Sequence, residues 1–176
     1  MRFAILGNSG SGKSTLAGWL AGSAGVEVLD LDSVAWESGQ PAVLRATGSV
    51  RAEVETFCVS RPRWVLEGCY ANLIEVALQF EPHLVFLNPG LDSCVANCLN
   101  RAWEPHKYVS RQAQDANLDF LLSWVAEYYT RDGPMSLRAH REVFSAYTGS
   151  KTELRRVPVL DPPEPEMLAW PHWMCG

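Results

Sequence analysis

Gly7-Asn8-Ser9-Gly10-Ser11-Gly12-Lys13-Ser14, followed by Thr15, satisfies the spacing GxxxxGK(S/T). Glycines at these positions permit backbone angles that aim successive N–H groups inward. An anion is then cradled by amides and by the positive end of the helix that begins near Lys13. In that geometry Lys13 reaches the β- and γ-phosphates of a nucleoside triphosphate, and Ser14 Oγ coordinates Mg²⁺. With glycine at its ordinary frequency, a chance match in a chain this long is on the order of one in a hundred.

Three acids stand where a parallel sheet presents residues to a ligand, just past apolar runs: Asp30, Asp32 and Glu67. Asp32 is a candidate to orient or deprotonate an acceptor hydroxyl, or to hold a metal-bound water; a turn cap is the structural alternative. Glu67 is placed to support the metal, with an ordinary turn before Gly68 as its alternative. The candidate metal set is therefore Ser14, Asp32 and Glu67. Phosphoryl transfer also needs positive groups on the transferred phosphate. Arg101, Lys107 and Arg111 bracket a polar stretch, and Arg131, Arg138 and Arg141 follow; Arg101 is the leading candidate, and solvated surface charge is the alternative for the others. His106 and His140 read as hydrogen-bonded surface or packing residues.

The elements that must position these groups are legible in outline. Arg2 to Leu6 is an apolar run ending at the glycine loop, and helical spacing runs from Lys13 to Ser23. Val26 to Leu31, Trp64 to Leu66, His83 to Leu87 and Thr152 to Val157 read as further strands. Between them, Ser49 is a candidate cap for a helix carrying Val50, Val54, Phe57 and Cys58. Asn72 with Glu75 forms a capping-box-like pair, and Asp92 is a candidate cap for a helix to about Arg101. Ala102 to Gln114 has no clear period and reads as a loop. Leu118, Leu121, Leu122, Val125 and Tyr128 restore helical spacing, and Ser136 opens a last helix. Alternating strands and helices predict a three-layer α/β P-loop NTPase fold: a five-stranded parallel sheet flanked by helices, with a small lid over about 101–141. The 176 residues, 47% of them apolar, suit one such domain spanning 1–176.

Composition bounds the function. A net charge of -5 argues against a general nucleic-acid surface, so direct nucleic-acid binding is not expected. Five cysteines without a CxxC pair read as free thiols in a reducing compartment, with Cys94 and Cys98 as apolar filler. No leader-like start and no apolar run of about 20 residues is present, which predicts a soluble, cytoplasmic protein with no membrane partner. The proline-rich tail ends in Trp170 and Trp173, expected to cover core or to lie beside a base.

On these residues the chain resembles the adenylate-kinase-like and shikimate-kinase-like branch of P-loop kinases, especially bacterial proteins known as DNA topology modulation proteins. The likeness spans roughly Met1 to Leu160. It is carried by Gly7 to Thr15, Leu31-Asp32 with Trp36, Val65 to Tyr70, Val85-Phe86-Leu87, Arg101, and Phe120-Leu121 with Trp124. The resemblance implies five parallel strands, an acceptor region after the second strand, a lid starting near Arg101, and adenine against residues near Leu160 to Pro163. The chain departs from the family where Glu67 replaces the usual Asp. The triple glycine of shikimate kinases and the DGFPR arginine of adenylate kinases are missing, and Asn97 stands where a relative carries a second lid arginine. The expected function is a Mg-ATP-dependent kinase with catalytic Lys13, Asp32 and Arg101, acting on a small-molecule or nucleotide acceptor. A nucleotide-binding regulatory module with slow ATPase activity is the alternative. A GTPase is disfavoured because no NKxD guanine-reading motif is present.

Overall fold

β1 (Arg2–Gly7) lies at the centre of a five-stranded, wholly parallel sheet in the computed structural model, which describes residues 1–37, 43–104 and 108–160. On one side β1 pairs with β3 (Trp64–Gly68), and β3 with β2 (Val28–Asp30); on the other β1 pairs with β4 (His83–Leu87), and β4 with β5 (Lys151–Leu154). The central strands are continuous apolar runs because both faces are covered. Alternate residues divide between two cores. Ala4, Leu6, Leu66, Leu84 and Phe86 face one side; Phe3, Ile5, Val65, Val85 and Leu87 face the other.

The second face packs on α1 (Lys13–Ala24) through Leu16, Ala17, Leu20 and Ala21. The first face packs on α2 (Asp32–Ala35), α3 (Thr47–Ser60), α4 (Ala71–Leu78) and α8 (Leu137–Ala146). A third, small cluster joins Cys94 and Cys98 of α5 (Leu91–Leu99) to Val125 of α7 (Leu118–Glu127), so the two thiols are the apolar filler expected of them. The expected three-layer architecture is the one found. Because the chain runs from β1 to one side of the sheet and returns through β4 on the other, a crevice opens beyond the carboxyl ends of the central strands.

Several local expectations are corrected. β2 covers Val28–Asp30 rather than Val26 to Leu31, and β5 stops at Leu154. α3 starts at Thr47, so Ser49 lies in its first turn and its N–H donates to Ala46 O. Asn72 and Glu75 form no capping box. α4 starts at Ala71, whose N–H donates to Pro134 O at 2.9 Å, a partner distant in sequence that no local pattern announces. Asp92 falls in the first turn of α5 after Gly90, where its charge still suits the helix dipole. The expected loop contains α6 (Arg111–Ala116), capped by Ser110 Oγ accepting from Ala113 N–H. Lys107, His106, Cys175, Trp170, Trp173 and the tail prolines Pro162, Pro163 and Pro165 lie outside the described residues. Among the described residues no helix is long and apolar enough to cross a membrane.

Candidate active site

The loop between β1 and α1 is shaped by what a side chain would hit. A Cβ at Gly7 would stand 2.5 Å from Leu87 O, and one at Gly10 2.3 Å from Cys94 O. Gly10 and Gly12 also have φ of 76° and 97°, which L side chains rarely adopt. Two asparagines pin the loop, Asn8 from within it and Asn97 from α5. Asn8 Oδ1 accepts from Ser9 N–H at 2.8 Å while its Nδ2 donates to Val125 O at 3.0 Å, and Asn97 Nδ2 donates to Gly10 O at 2.8 Å. Lys13 Nζ donates to Asn8 O at 3.0 Å, resting across the loop. Ser11 Oγ is buried with no hydrogen-bond partner. The first N–H groups of α1 have no acceptor within the helix, as at any helix start. Buried polar capacity and an ammonium group thus converge where an anion would sit.

Ser14, the second residue of α1, donates a hydrogen bond from its hydroxyl to Glu67 Oε1 at 2.6 Å. Glu67 closes β3 and is buried. Burial pushes its carboxyl above the ordinary carboxylate range; Lys13 opposes the shift, Asp30 adds to it, the Ser14 bond opposes it, and Asp32 adds again. Asp32 opens α2 after β2. Its N–H donates to Asp30 Oδ1 at 2.9 Å, and its Oδ1 accepts from Tyr70 OH at 2.7 Å. Tyr70 is raised by burial and then by Asp32, so its hydroxyl stays protonated and acts as the donor. Asp30 therefore plays the turn-capping part, and Asp32 faces the crevice.

A cavity of about 710 Å³ joins these groups. Its lining includes the loop, Arg101, Val157, Pro158 and Leu160; Val157 Cγ1 would be 3.7 Å from a Cβ at Gly12. The same cavity is lined by Asp32, Trp36, Tyr70, Trp124 and Met135. Arg101 pairs with Glu104 at 3.2 Å. The remaining described arginines of the basic cluster do not line the cavity. Arg111 pairs with Asp115 and Arg138 with Asp132, both on the surface. Arg131 stacks 3.5 Å over the Trp124 ring and donates to Met135 O and Trp124 O, while Arg141 borders a separate open hollow. His140 is a packing residue. Its Nε2–H donates to Cys69 O at 2.8 Å and its Nδ1 accepts from Tyr128 OH at 2.7 Å, tying β3 to α7 and α8.

Sequence reasoning had not assigned site roles to Tyr70, Phe120, Trp124 or Glu104. The missed signal was the i, i+4 pair Phe120 and Trp124, set off from the Leu121, Val125 stripe. For a divalent ion, the donor set is one hydroxyl and nearby carboxylates. No group of three or more His, Cys, Asp or Glu among the described residues would hold a metal alone. That suits Mg²⁺, which keeps waters and takes much of its coordination from substrate phosphates.

No protein-family model matches the chain, and no curated protein matches it. Solved structures do. A shikimate kinase from Bacteroides thetaiotaomicron superposes with a TM-score of 0.51 at 17% identity, covering 92% of this chain and 89% of that one. A sugar kinase from Janibacter sp. gives a TM-score of 0.50 at 12% identity over 87% and 83%. At these identities the likeness concerns architecture: the chain has the three-layer fold shared with P-loop kinases.

Proposed function

We propose that the protein is a phosphotransferase that moves the γ-phosphoryl group of Mg-ATP to a hydroxyl of a small-molecule acceptor, its whole length acting as one P-loop kinase-like domain with 101–141 as lid. The observation that carries this reading is the division of acids within one cavity. Glu67 is bonded to Ser14 on the phosphate side, and Asp32 is bonded to Tyr70 on the other. Two carboxylates in such different company suit two tasks.

Lys13 and the glycine loop from Gly7 to Thr15 bind the triphosphate, with Lys13 leaving Asn8 O for the β- and γ-phosphates. Ser14 Oγ donates a hydrogen bond to Glu67, so the lone pairs of Ser14 Oγ would be free to hold Mg²⁺. When bound, that ion neutralises charge on the phosphate oxygens. Asp32, steered by Tyr70, accepts the proton of the attacking hydroxyl. The acceptor oxygen forms its bond to the γ-phosphorus as the bond from that phosphorus to the bridging oxygen breaks, and the electron pair leaves on ADP. Arg101 exchanges Glu104 for the transferred phosphoryl group. Val157 to Leu160 border the adenine. The finer likeness to DNA topology modulation proteins rests on Leu31-Asp32 with Trp36 and on Val65 to Tyr70.

Transfer of labelled γ-phosphate from ATP to an acceptor panel tests this. Labelled product from the wild type, lost in Lys13→Ala, supports it. Slow ATP hydrolysis that no acceptor accelerates would favour a nucleotide-dependent regulatory module.

A further inference from the structure

The bond between Asn8 and Val125 does more than hold the glycine loop. α7 ends at Glu127, and the last carbonyls of a helix have no partner within it. In a continued helix Val125 O would accept from Tyr129 N–H, but that N–H goes to Ala126 O at 3.5 Å. Two side chains from outside the helix answer the carbonyls of this turn. Arg131 Nη1 donates to Trp124 O at 3.0 Å, and Asn8 Nδ2 donates to Val125 O at 3.0 Å across 117 residues of sequence. Asn8 and Val125 are 2% and 0% exposed, so breaking their bond leaves a buried carbonyl and a buried amide unpaired.

The other polar groups of Asn8 belong to the loop. Its Oδ1 accepts from Ser9 N–H at 2.8 Å, and its main-chain O accepts from Ser11 N–H at 3.2 Å and from Lys13 Nζ at 3.0 Å. One residue thus holds both the turn that would surround a phosphate chain and the C-terminal turn of α7. That helix contributes Phe120, Leu121 and Trp124 to the cavity that Gly10, Lys13 and Ser14 also line. The second anchor differs in kind, because Asn97 Nδ2 reaches Gly10 O at 2.8 Å from α5 without bonding the end of α7. A triphosphate that fixes the amides of the loop also fixes the residue carrying Asn8 Nδ2. Opening of the last turn of α7 must then break a bond to a loop that can no longer follow it.

We infer that Asn8 is a positioning residue that makes the C-terminal turn of α7 part of the phosphate loop, so that loading the loop with a nucleoside triphosphate and fixing the cavity wall carried by α7 are one event. Within the segment 101–141 read as a lid, this turn is anchored on the loop. The inference rests on the reading of Gly7 to Thr15 as the triphosphate site, and it holds whichever acceptor is used.

Amide hydrogen exchange of the full-length protein, with and without Mg²⁺ and the non-hydrolysable ATP analogue AMP-PNP, tests this. At saturation, the amides of α1 and those of α7 from Leu121 to Glu127 should both exchange at least about fivefold more slowly in the wild type. In Asn8→Ala at saturating analogue, the slowing in α1 should remain and the slowing in α7 should vanish. A merely structural role would speed α7 exchange equally with and without nucleotide, leaving the nucleotide-dependent difference in place. Asn97→Ala removes the α5 anchor and should keep the α7 response. Asn8→Ser, whose shorter side chain keeps an acceptor and loses the reach of the amide, gives the same reading if the alanine variant does not fold. Slowing of α7 that persists in the Asn8 variants, or no slowing of α7 in the wild type although the analogue binds in calorimetry, overturns the inference and leaves the phosphotransferase reading standing. No binding in calorimetry strikes the triphosphate site itself.

Discussion

Ser14 Oγ and Glu67 Oε1 meet at 2.6 Å although 53 residues separate them in the chain. The bond joins the start of α1 to the end of β3, neighbours only because β3 pairs with β1 in register, Ile5 opposite Glu67. It gives a buried carboxylate one neutral donor and leaves the rest of its charge to be answered by Lys13 or a metal ion. Two consequences can be measured.

Replacing Glu67 with Gln keeps an acceptor for the Ser14 hydroxyl but removes the charge. The apparent Mg²⁺ affinity in turnover should fall by about 10- to 100-fold, the range for groups supporting a metal ligand. Magnesium titrations of wild type and variant at fixed ATP provide the check. An unchanged magnesium dependence would remove Glu67 from the metal's environment.

The same carboxyl links stability to pH. Its folded value lies above the ordinary 4.5, so the metal-free folded protein binds the proton more tightly than the unfolded chain. Its contribution to stability is complete below about 4.5 and is lost as pH rises through the folded value. Glu67→Gln should therefore gain stability over the wild type as pH rises from 4.5 through the folded value without metal. Denaturant unfolding across that window reads the difference.

His140 gives the opposite sign. Burial lowers it from 6.5 to about 4, and it is held neutral between Tyr128 OH and Cys69 O. The unfolded chain takes up a proton below 6.5 that the folded chain refuses until about 4. Stability should fall as pH drops through that interval, by up to about 3 kcal/mol at 1.36 kcal/mol per pH unit. His140→Gln should show a shallower fall over the same range in paired denaturation curves.

The glycine loop, the strand-end acids and the alternating architecture were legible because each is a local pattern: a fixed spacing, a carboxylate after an apolar run, a change of period. What stayed hidden depended on residues remote in sequence. Asn8 is fastened by Val125 O, Gly10 by Asn97, and Ala71 by Pro134 O, so neither the clamp on the loop nor the true start of α4 could be read nearby. The arginines illustrate the same limit. Among the six lysines and arginines from Arg101 to Arg141 the sequence put Arg101 first but could not sort the others: Arg111 and Arg138 pair with local acids, Arg131 braces Trp124, and Arg101 borders the cavity.

Gly10→Ala should destabilise the protein by about 2 kcal/mol or more, because a Cβ would stand 2.3 Å from Cys94 O at a φ of 76°. Since α5 cannot yield without disturbing Asn97, ATP affinity should fall with stability. Thermal unfolding and calorimetric titration of the variant test both parts; an unchanged Kd would mean that this stretch of backbone does not hold the nucleotide.

Asp32→Asn should lower kcat by about 10² to 10⁴, the usual contribution of a positioned base, with little change in ATP affinity. Tyr70→Phe removes one hydrogen bond to that carboxylate and should cost about tenfold. Single-turnover transfer to the best acceptor separates the two effects from binding.

The most direct test of the account is the Kd for ATP with and without Mg²⁺, in the wild type and in Lys13→Ala. The account predicts saturable binding, tightened by magnesium and weakened at least about 100-fold when the ammonium group that now rests on Asn8 O is removed. Binding of equal strength in the two proteins, or none in the wild type, would contradict it.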